Sequence, residues 1–179
     1  MENKQVHLEK ISYDNIKAVL NLRLTKEQKQ FVASNKTSII QAYLELIDDD
    51  PMPVYTFAIY YGKKVVGFLM MCYDDDWTGY EREDWLNSDL YKEYEGKKYY
   101  CVWRFMIDKK FQKLGYGREA FRQALEFIKT SPDGKAEYAV ISYEPSNTVA
   151  RNLYKSFGFE ERFNDYLHDD DEIFAILKL

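Results

Sequence analysis

Apolar residues along the chain switch between a period of two and a period near 3.6, and these switches set the predicted elements. Residues 5–11 alternate, with Val6, Leu8 and Ile11 apolar, and read as a first strand. Ser12 stands where a helix cap is expected, with Asn15 three residues on and Ile16, Val19, Leu20 and Leu22 along one face. A helical stretch at 28–32 breaks at Ser34-Asn35. The helical period resumes over 38–47 (Ile39, Ile40, Tyr43, Leu44, Ile47), and Asp48-Asp49-Asp50-Pro51 ends it. Two strands, 54–60 and 64–73, flank Tyr61-Gly62-Lys63, a hairpin turn.

The second half repeats the alternation of element types. A strand over 99–108 precedes a helix over 119–129, whose apolar face is Ala120, Phe121, Ala124, Leu125 and Ile128. After the turn Ser131-Pro132-Asp133-Gly134 come a strand at 138–143 and a short helix at 147–156, with Val149, Ala150, Leu153, Tyr154 and Phe157 at helical spacing. Gly158 stops that helix. Strands at 159–163 and 173–177 close the chain around an acidic loop with Asp165, Asp169, Asp170, Asp171 and Glu172. The stretch 74–98 carries neither period and is too long for an ordinary turn, while Trp77 and Trp85 oppose a disordered reading.

Between the strand at 99–108 and its helix lies Gln112-Lys113-Leu114-Gly115-Tyr116-Gly117-Arg118. Strand, glycine-spaced loop and helix together make an anion site. Glycine admits backbone angles and close approaches that a Cβ blocks, and the helix start turns N–H groups and the positive end of its dipole toward the loop. A phosphate or pyrophosphate suits it, with Lys113 and Arg118 adding charge. Taken alone the segment reads equally as a tight strand-to-helix turn. It is not a P-loop, since no Gly-Lys-Ser/Thr follows, and it lacks the third glycine of a dinucleotide fingerprint.

Composition narrows the class. A chain of 179 residues, 46% hydrophobic and 31% charged, suits one soluble globular domain with a sizeable core. The net charge of −5 is uneven: residues 74–95 hold nine acids against Arg82 and Lys92, a net −7, which leaves +2 elsewhere. That disfavours a nucleic-acid partner and leaves two readings of the acidic stretch, a solvated loop or a site for a cation. The longest apolar run, 65–72, is too short for a bilayer, and the first five residues lack the apolar run of a secretory leader. The expectation is a cytoplasmic protein with no membrane partner. Cys72 and Cys101 read as reduced, buried thiols, and His7 and His168 lack ligand spacing, so no metal site is expected.

The order strand, Gln-x-x-Gly-x-Gly, helix, strand, Asn-x-x-Ala-x-x-Leu-Tyr, Gly-Phe, strand resembles the GNAT superfamily of acetyl-CoA-dependent N-acetyltransferases. The resemblance spans roughly residues 54–179. Within it, Gln28-x-x-Phe31-Val32-Ala33-x-Asn35-x-x-Ser38 and Trp103-Arg104-Phe105-Met106-Ile107-Asp108 look like bacterial spermine/spermidine (diamine) N-acetyltransferases. The resemblance implies an α/β (α+β) GNAT fold in a single domain over 1–179, with about seven strands in a mixed, mostly antiparallel, splayed sheet flanked by about four helices. It implies acetyl-CoA as cosubstrate, lying in an opening between the strands at 99–108 and 138–143. Backbone of Phe105, Met106 and Ile107 would pair with the pantetheine arm. Gln112, Lys113, Leu114, Gly115, Tyr116, Gly117 and Arg118 would hold the pyrophosphate, and Asn147, Asn152 and Lys155 would lie near the coenzyme. A homodimer is also implied.

The reaction sets further requirements. A polyamine nitrogen must lose a proton before it attacks the thioester, and the departing thiolate must gain one. Tyr154 matches the position of the family's general acid; without that motif it would read as a core-packing tyrosine. Some polyamine acetyltransferases carry a carboxylate on the strand before the glycine loop where this chain has Trp103. That departure leaves Glu144 as the candidate base, with a loop carboxylate or a water chain as the other readings. For a polycationic substrate, Glu81, Glu83 and Asp84 beside Trp77 and Trp85 suit ion pairing and cation–π contact, and Glu27 and Glu45 are further contributors. Another amine, such as an aminoglycoside or a peptide N-terminus, and a non-catalytic coenzyme-binding module are the alternatives.

Overall fold

A computed structural model of the protein describes residues 5–74, 89–162 and 172–179. The strands are β1 (Val6–Lys10), β2 (Val54–Tyr61), β3 (Lys64–Asp74), β4 (Tyr99–Ile107), β5 (Tyr138–Tyr143), β6 (Glu160–Arg162) and β7 (Ile173–Lys178). They form one seven-stranded sheet in the order β1-β2-β3-β4-β5-β7-β6. The helices are α1 (Ile16–Leu20), α2 (Asn35–Leu46), α3 (Asp89–Tyr94), α4 (Tyr116–Lys129) and α5 (Thr148–Lys155), with a 3₁₀ turn at Glu27–Gln30. The β1–β2, β2–β3, β5–β7 and β6–β7 ladders are antiparallel and β4–β5 is parallel, the mixed, mostly antiparallel sheet that the family resemblance implies. By packing, the chain divides into two compact units, Met1–Cys72 with Val102–Pro132, and Tyr73–Cys101 with Asp133–Leu179.

In the first unit β2 and β3 form the predicted hairpin, closing on Gly62 at φ 57°. The apolar run of β3 is buried from Val66 to Cys72, as a strand covered on both faces requires. Val19, Ala58, Phe68, Met70 and Met106 make one core cluster, with Ile39, Ala42 and Trp103 packed against it. Helix α4 buries the predicted stripe of Ala120, Phe121, Ala124, Leu125 and Ile128. Its Gln123 donates to the Val6 carbonyl (2.7 Å) and to Glu119 Oε1 (2.8 Å), which ties the helix to β1.

Two helices in this unit differ from expectation. Ser12 does not cap α1: its hydroxyl accepts from the Asp14 N–H (3.3 Å), and Asn15 holds the N-cap position. The Asn15 side chain turns back instead, accepting from the Ser12 N–H (2.9 Å) and donating to the Lys10 carbonyl (3.0 Å). Helix α2 starts at Asn35 rather than 38, capped by Ser34, whose Oγ accepts from the Thr37 N–H (3.1 Å). Its apolar face points outward, with Ile40 48%, Tyr43 59%, Leu44 53% and Ile47 57% exposed. The inward stripe is Asn35, Ser38, Ile39 and Ala42. Asn35 donates to the Val19 carbonyl (2.9 Å) and buried Ser38 to the Ser34 carbonyl (3.1 Å). The Asn35–Val19 bond, with Ile39 and Ala42 on the core, sets the rotation of the helix, while an exposed leucine costs little.

In the second unit β7 pairs with β5 from Tyr138↔Lys178 to Tyr143↔Ile173 and with β6 on its other side. Tyr94, Tyr138, Val140 and Ile176 form its core cluster. Helix α3, which carries Tyr94, lies in the stretch read as irregular. Six residues are too few for a periodic signal, and packing of Tyr94 on Tyr138 (ring centroids 5.1 Å) supplies what propensity does not. Neither cysteine is in a disulfide; Cys72 is buried and Cys101 half-buried.

Glu119 accepts from Arg122 (2.6 Å) and Gln123 (2.8 Å), and Arg122 above all holds its carboxyl at about 2, against an ordinary 4.5. A depressed carboxyl contributes stability above its unfolded value and loses it as pH falls through the folded one. Urea unfolding should therefore show a constant gap between wild type and Glu119→Gln above about pH 5 that shrinks toward pH 2; solvent screening keeps it within about 1 kcal/mol. In the same assay Leu44→Lys should stay within about 0.5 kcal/mol of wild type, while Val19→Ala, fully buried, should cost about 2 kcal/mol.

Candidate active site

In the first unit the site begins where β4 ends. Asp108 is only 6% exposed, yet it is a carboxylate. Its Oδ2 accepts from the Arg23 N–H (2.7 Å) and its Oδ1 from the Lys110 N–H (2.9 Å). Its own N–H donates to the Val66 carbonyl (2.8 Å), and its carbonyl accepts from the Phe111 N–H (2.8 Å). The Lys109 N–H closes the set on the Arg23 carbonyl (2.8 Å). One side chain thus folds the exit turn and fastens it to the loop after α1. Gln112 follows, its amide donating to the Ile107 carbonyl (2.9 Å) and to Gln28 Oε1 (2.9 Å). The Gln112 side chain, expected at the coenzyme, here holds the turn.

Helix α4 starts at Tyr116 rather than 119, so Gly117 lies in its first turn and not in the loop. The reason is Gly115, whose left-handed φ of 82° ends the loop, and whose carbonyl accepts the first helical bond from Glu119 (3.2 Å). Gly117 has ordinary helical angles, and a Cβ there would meet Ile107 Cγ1 at 3.4 Å and Phe105 at 3.9 Å, normal contact distances. The fold therefore needs glycine at 115 and does not need it at 117. Lys109, Lys110, Lys113 and Arg118 are all exposed around this turn, and the Glu119 carboxylate beside them is engaged by Arg122. The first-turn N–H groups, the helix dipole and these cations favour an anion with several oxygens.

Along β4, Phe105 packs edge-on against Phe121 of α4 (5.6 Å), and Ile107 lies beside Gly117. Trp103 and Met106 belong instead to the cluster that includes α2 residues. Arg104 also reaches that side, to Gln41 of α2 (3.4 Å), with its guanidinium over the Trp103 ring (5.3 Å) and Nη1 donating to the Trp103 carbonyl (2.8 Å). Two successive side chains on one side break the alternation of a regular strand. Glu27 lies exposed on the 3₁₀ turn, its carboxyl held below the ordinary value by its own backbone N–H and by Thr25.

The second unit brings together the predicted residues of the other motif. Asn147 caps α5, its Oδ1 accepting from the Ala150 N–H (3.3 Å), and its N–H donates to the Glu144 carbonyl (2.9 Å). Its side chain, expected near the coenzyme, serves the helix start. Glu144 is half-buried just beyond β5, and Asn152 and Lys155 are exposed on α5. Tyr154, on the same helix, is 5% exposed and packs on Tyr143 (5.4 Å) and Phe159 (6.2 Å). Burial first, then the neighbouring Tyr143 and Glu172, push its hydroxyl above the ordinary tyrosine value, so it is protonated across the neutral range. Trp77, Glu81, Glu83, Asp84 and Trp85 lie outside the described residues, as does His168. Among the described residues no group of three His, Cys, Asp or Glu could hold a metal ion, and no helix is long and apolar enough to cross a membrane.

Comparison with known proteins decides the family. The model of the Acetyltransferase (GNAT) family matches residues 17–159, most of the chain and both motifs. The chain belongs to the GNAT acetyltransferase family. Two Bacillus subtilis proteins align over 177 residues, 97% of this chain and 99% of each relative: a probable spermine N(1)-acetyltransferase of subspecies natto at 27% identity, and the spermine/spermidine N(1)-acetyltransferase of strain 168 at 26%. Among solved structures, Arabidopsis thaliana Naa50 in complex with the bisubstrate analogue CoA-Ac-MVNAL superimposes with a TM-score of 0.60 over 97% of this chain and 99% of that one. Its 13% identity makes that a likeness of fold.

The contrast between the two glycines is measurable without a ligand. Gly115→Ala should lower stability by about 1–2 kcal/mol through its left-handed backbone, whereas Gly117→Ala should leave it unchanged or raise it by up to about 1 kcal/mol, both read by urea unfolding.

Proposed function

We propose that this GNAT protein transfers acetyl from acetyl-CoA to a primary amine of spermidine or spermine. The observation that carries the substrate is the similarity, along nearly the whole chain, to two proteins named for those amines. The net charge of −5, concentrated at 74–95, supports a polycationic substrate. The coenzyme is supported by the family and by the chemistry of the glycine turn, whose exposed cations and open first turn suit a pyrophosphate. Both packing units serve this one acetyltransferase domain, since the family match runs through residues of each.

In this reading the residues divide the work as follows. Backbone of Gly115, Tyr116, Gly117 and Arg118, with Lys113, holds the pyrophosphate. Backbone at Phe105 and Met106 aligns the pantetheine arm; the Ile107 carbonyl is already engaged by Gln112. Glu144, directly or through water, accepts the proton of the attacking ammonium. The neutral nitrogen then bonds to the thioester carbon, the C–S bond breaks, and Tyr154 gives its proton to the departing thiolate. Burial keeps that proton on Tyr154 until the thiolate forms, and solvent restores it.

Thiol release from acetyl-CoA should be fast with spermine and spermidine, slower with putrescine, and negligible with kanamycin or a short peptide; raised salt should weaken the polyamine reactions. Turnover only with kanamycin or the peptide would discard the polyamine assignment. Tyr154→Phe should lower kcat by about 10²-fold or more with coenzyme affinity within a few-fold of wild type. Gly117→Ala should keep coenzyme binding within a few-fold of wild type, since the added Cβ faces Ile107 and Phe105. Calorimetric titration with CoA reads both affinities.

A further inference from the structure

Tyr154 ends a chain of side-chain contacts within the second unit that the backbone of α5 closes into a ring. Its ring packs on that of Tyr143, the last residue of β5, at 5.4 Å and 47°. The Tyr143 hydroxyl donates to Glu161 Oε1 (3.0 Å), on β6. Arg151 donates to the same carboxylate from Nε (2.6 Å) and Nη2 (2.7 Å), a two-pronged pair. Arg151 stands three residues before Tyr154 on α5, so the contacts run from the helix to β6, from β6 to β5, and back to the same helical face. Glu161 keeps 23% of its side chain exposed and Arg151 44%, so the ring reaches from the interior to the surface.

A helix of eight residues is too short to set its own rotation by a broad apolar stripe, and its exposed Val149 contributes nothing to that. The Asn147 cap fixes where α5 starts. The Arg151–Glu161 fork and the Tyr143–Tyr154 ring contact fix how far it is turned. A hydroxyl that must reach a leaving sulfur tolerates little misplacement, since an error near 1 Å costs about 10²-fold in rate.

We propose that Arg151, Glu161 and Tyr143 are positioning residues for Tyr154, holding its hydroxyl where the departing thiolate takes its proton. The inference rests on the reading of Tyr154 as the acid. Glu161 is the hub: it accepts from the Tyr143 hydroxyl and takes both prongs of Arg151. Arg151 also neutralises the carboxylate beside two buried phenols. Lysine at 151 keeps the charge but not the fork, and so restores only part of the arrangement.

The test is a double-mutant cycle on kcat with the preferred amine, with unfolding temperature recorded for every variant. Tyr143→Phe, which keeps the ring, and Glu161→Gln should each lower kcat about five- to twentyfold while KM for acetyl-CoA and for the amine stays within about twofold. Arg151→Lys should keep more activity than Arg151→Gln. In a Tyr154→Phe background the same two substitutions should have no further effect on kcat, because the group they position is gone. Equal losses in both backgrounds, or losses that follow a fall in unfolding temperature or a rise in KM, would make the ring structural and overturn the inference while leaving the acid role intact. Unchanged kcat in Tyr143→Phe and Glu161→Gln, with Tyr154→Phe impaired, would overturn it as well. Wild-type turnover by Tyr154→Phe alone would overturn the acid role, and this inference with it.

Discussion

The turn that leaves β4 depends on one buried carboxylate. Asp108 accepts the N–H groups of Arg23 and Lys110, and its backbone bonds Val66 and Phe111. These bonds bring the loop after α1 to the strand exit and start the glycine turn. A buried carboxylate without its donors is costly, so the same groups that need Asp108 also make it tolerable. From there the geometry propagates: Gln112 fastens the Ile107 carbonyl, Gly115 turns left-handed, and α4 begins with its first turn facing the loop. The chain's own bonds thus orient the turn and the first N–H groups of α4.

In α2 and α5, hydrogen bonds help to aim the helix beside the apolar residues it buries. In α2, Asn35 and Ser38 turn a polar and small-residue face inward, leaving Ile40, Tyr43, Leu44 and Ile47 in the exposed class. In α5, Asn147 sets the start and Arg151 the rotation, with Glu161 as the fixed point on the sheet. Long helix α4 is the opposite case, since five buried apolar residues orient it and its polar bonds only tether it to β1.

The two packing units offer different chemical settings. The first supplies the cationic glycine turn and the end of β4; the second supplies a buried, protonated tyrosine held by its neighbours. Their physical conditions are opposite. An anion is favoured by exposed N–H groups and cations near water, whereas burial keeps a phenol protonated well above neutral pH.

The sequence by itself determined the order and type of nearly every described element, because period and turn residues are local properties. It determined the glycine turn and the motif around Tyr154, because residue type at short spacing carries that information, and these sufficed for the family. It did not determine α3, which forms only because Tyr94 has Tyr138 to pack on, nor the outward face of α2, which follows from bonds between residues 16 apart such as Asn35 and Val19. The hub at Asp108 and the ring through Glu161 were equally hidden. Their partners are up to 85 residues away at Arg23 and 18 away at Tyr143, and an aspartate or glutamate looks the same in a sequence whether it is solvated or buried among donors. Local pattern sets what each segment is; only the folded chain sets which polar groups must find one another, since burial is what makes an unpaired group costly.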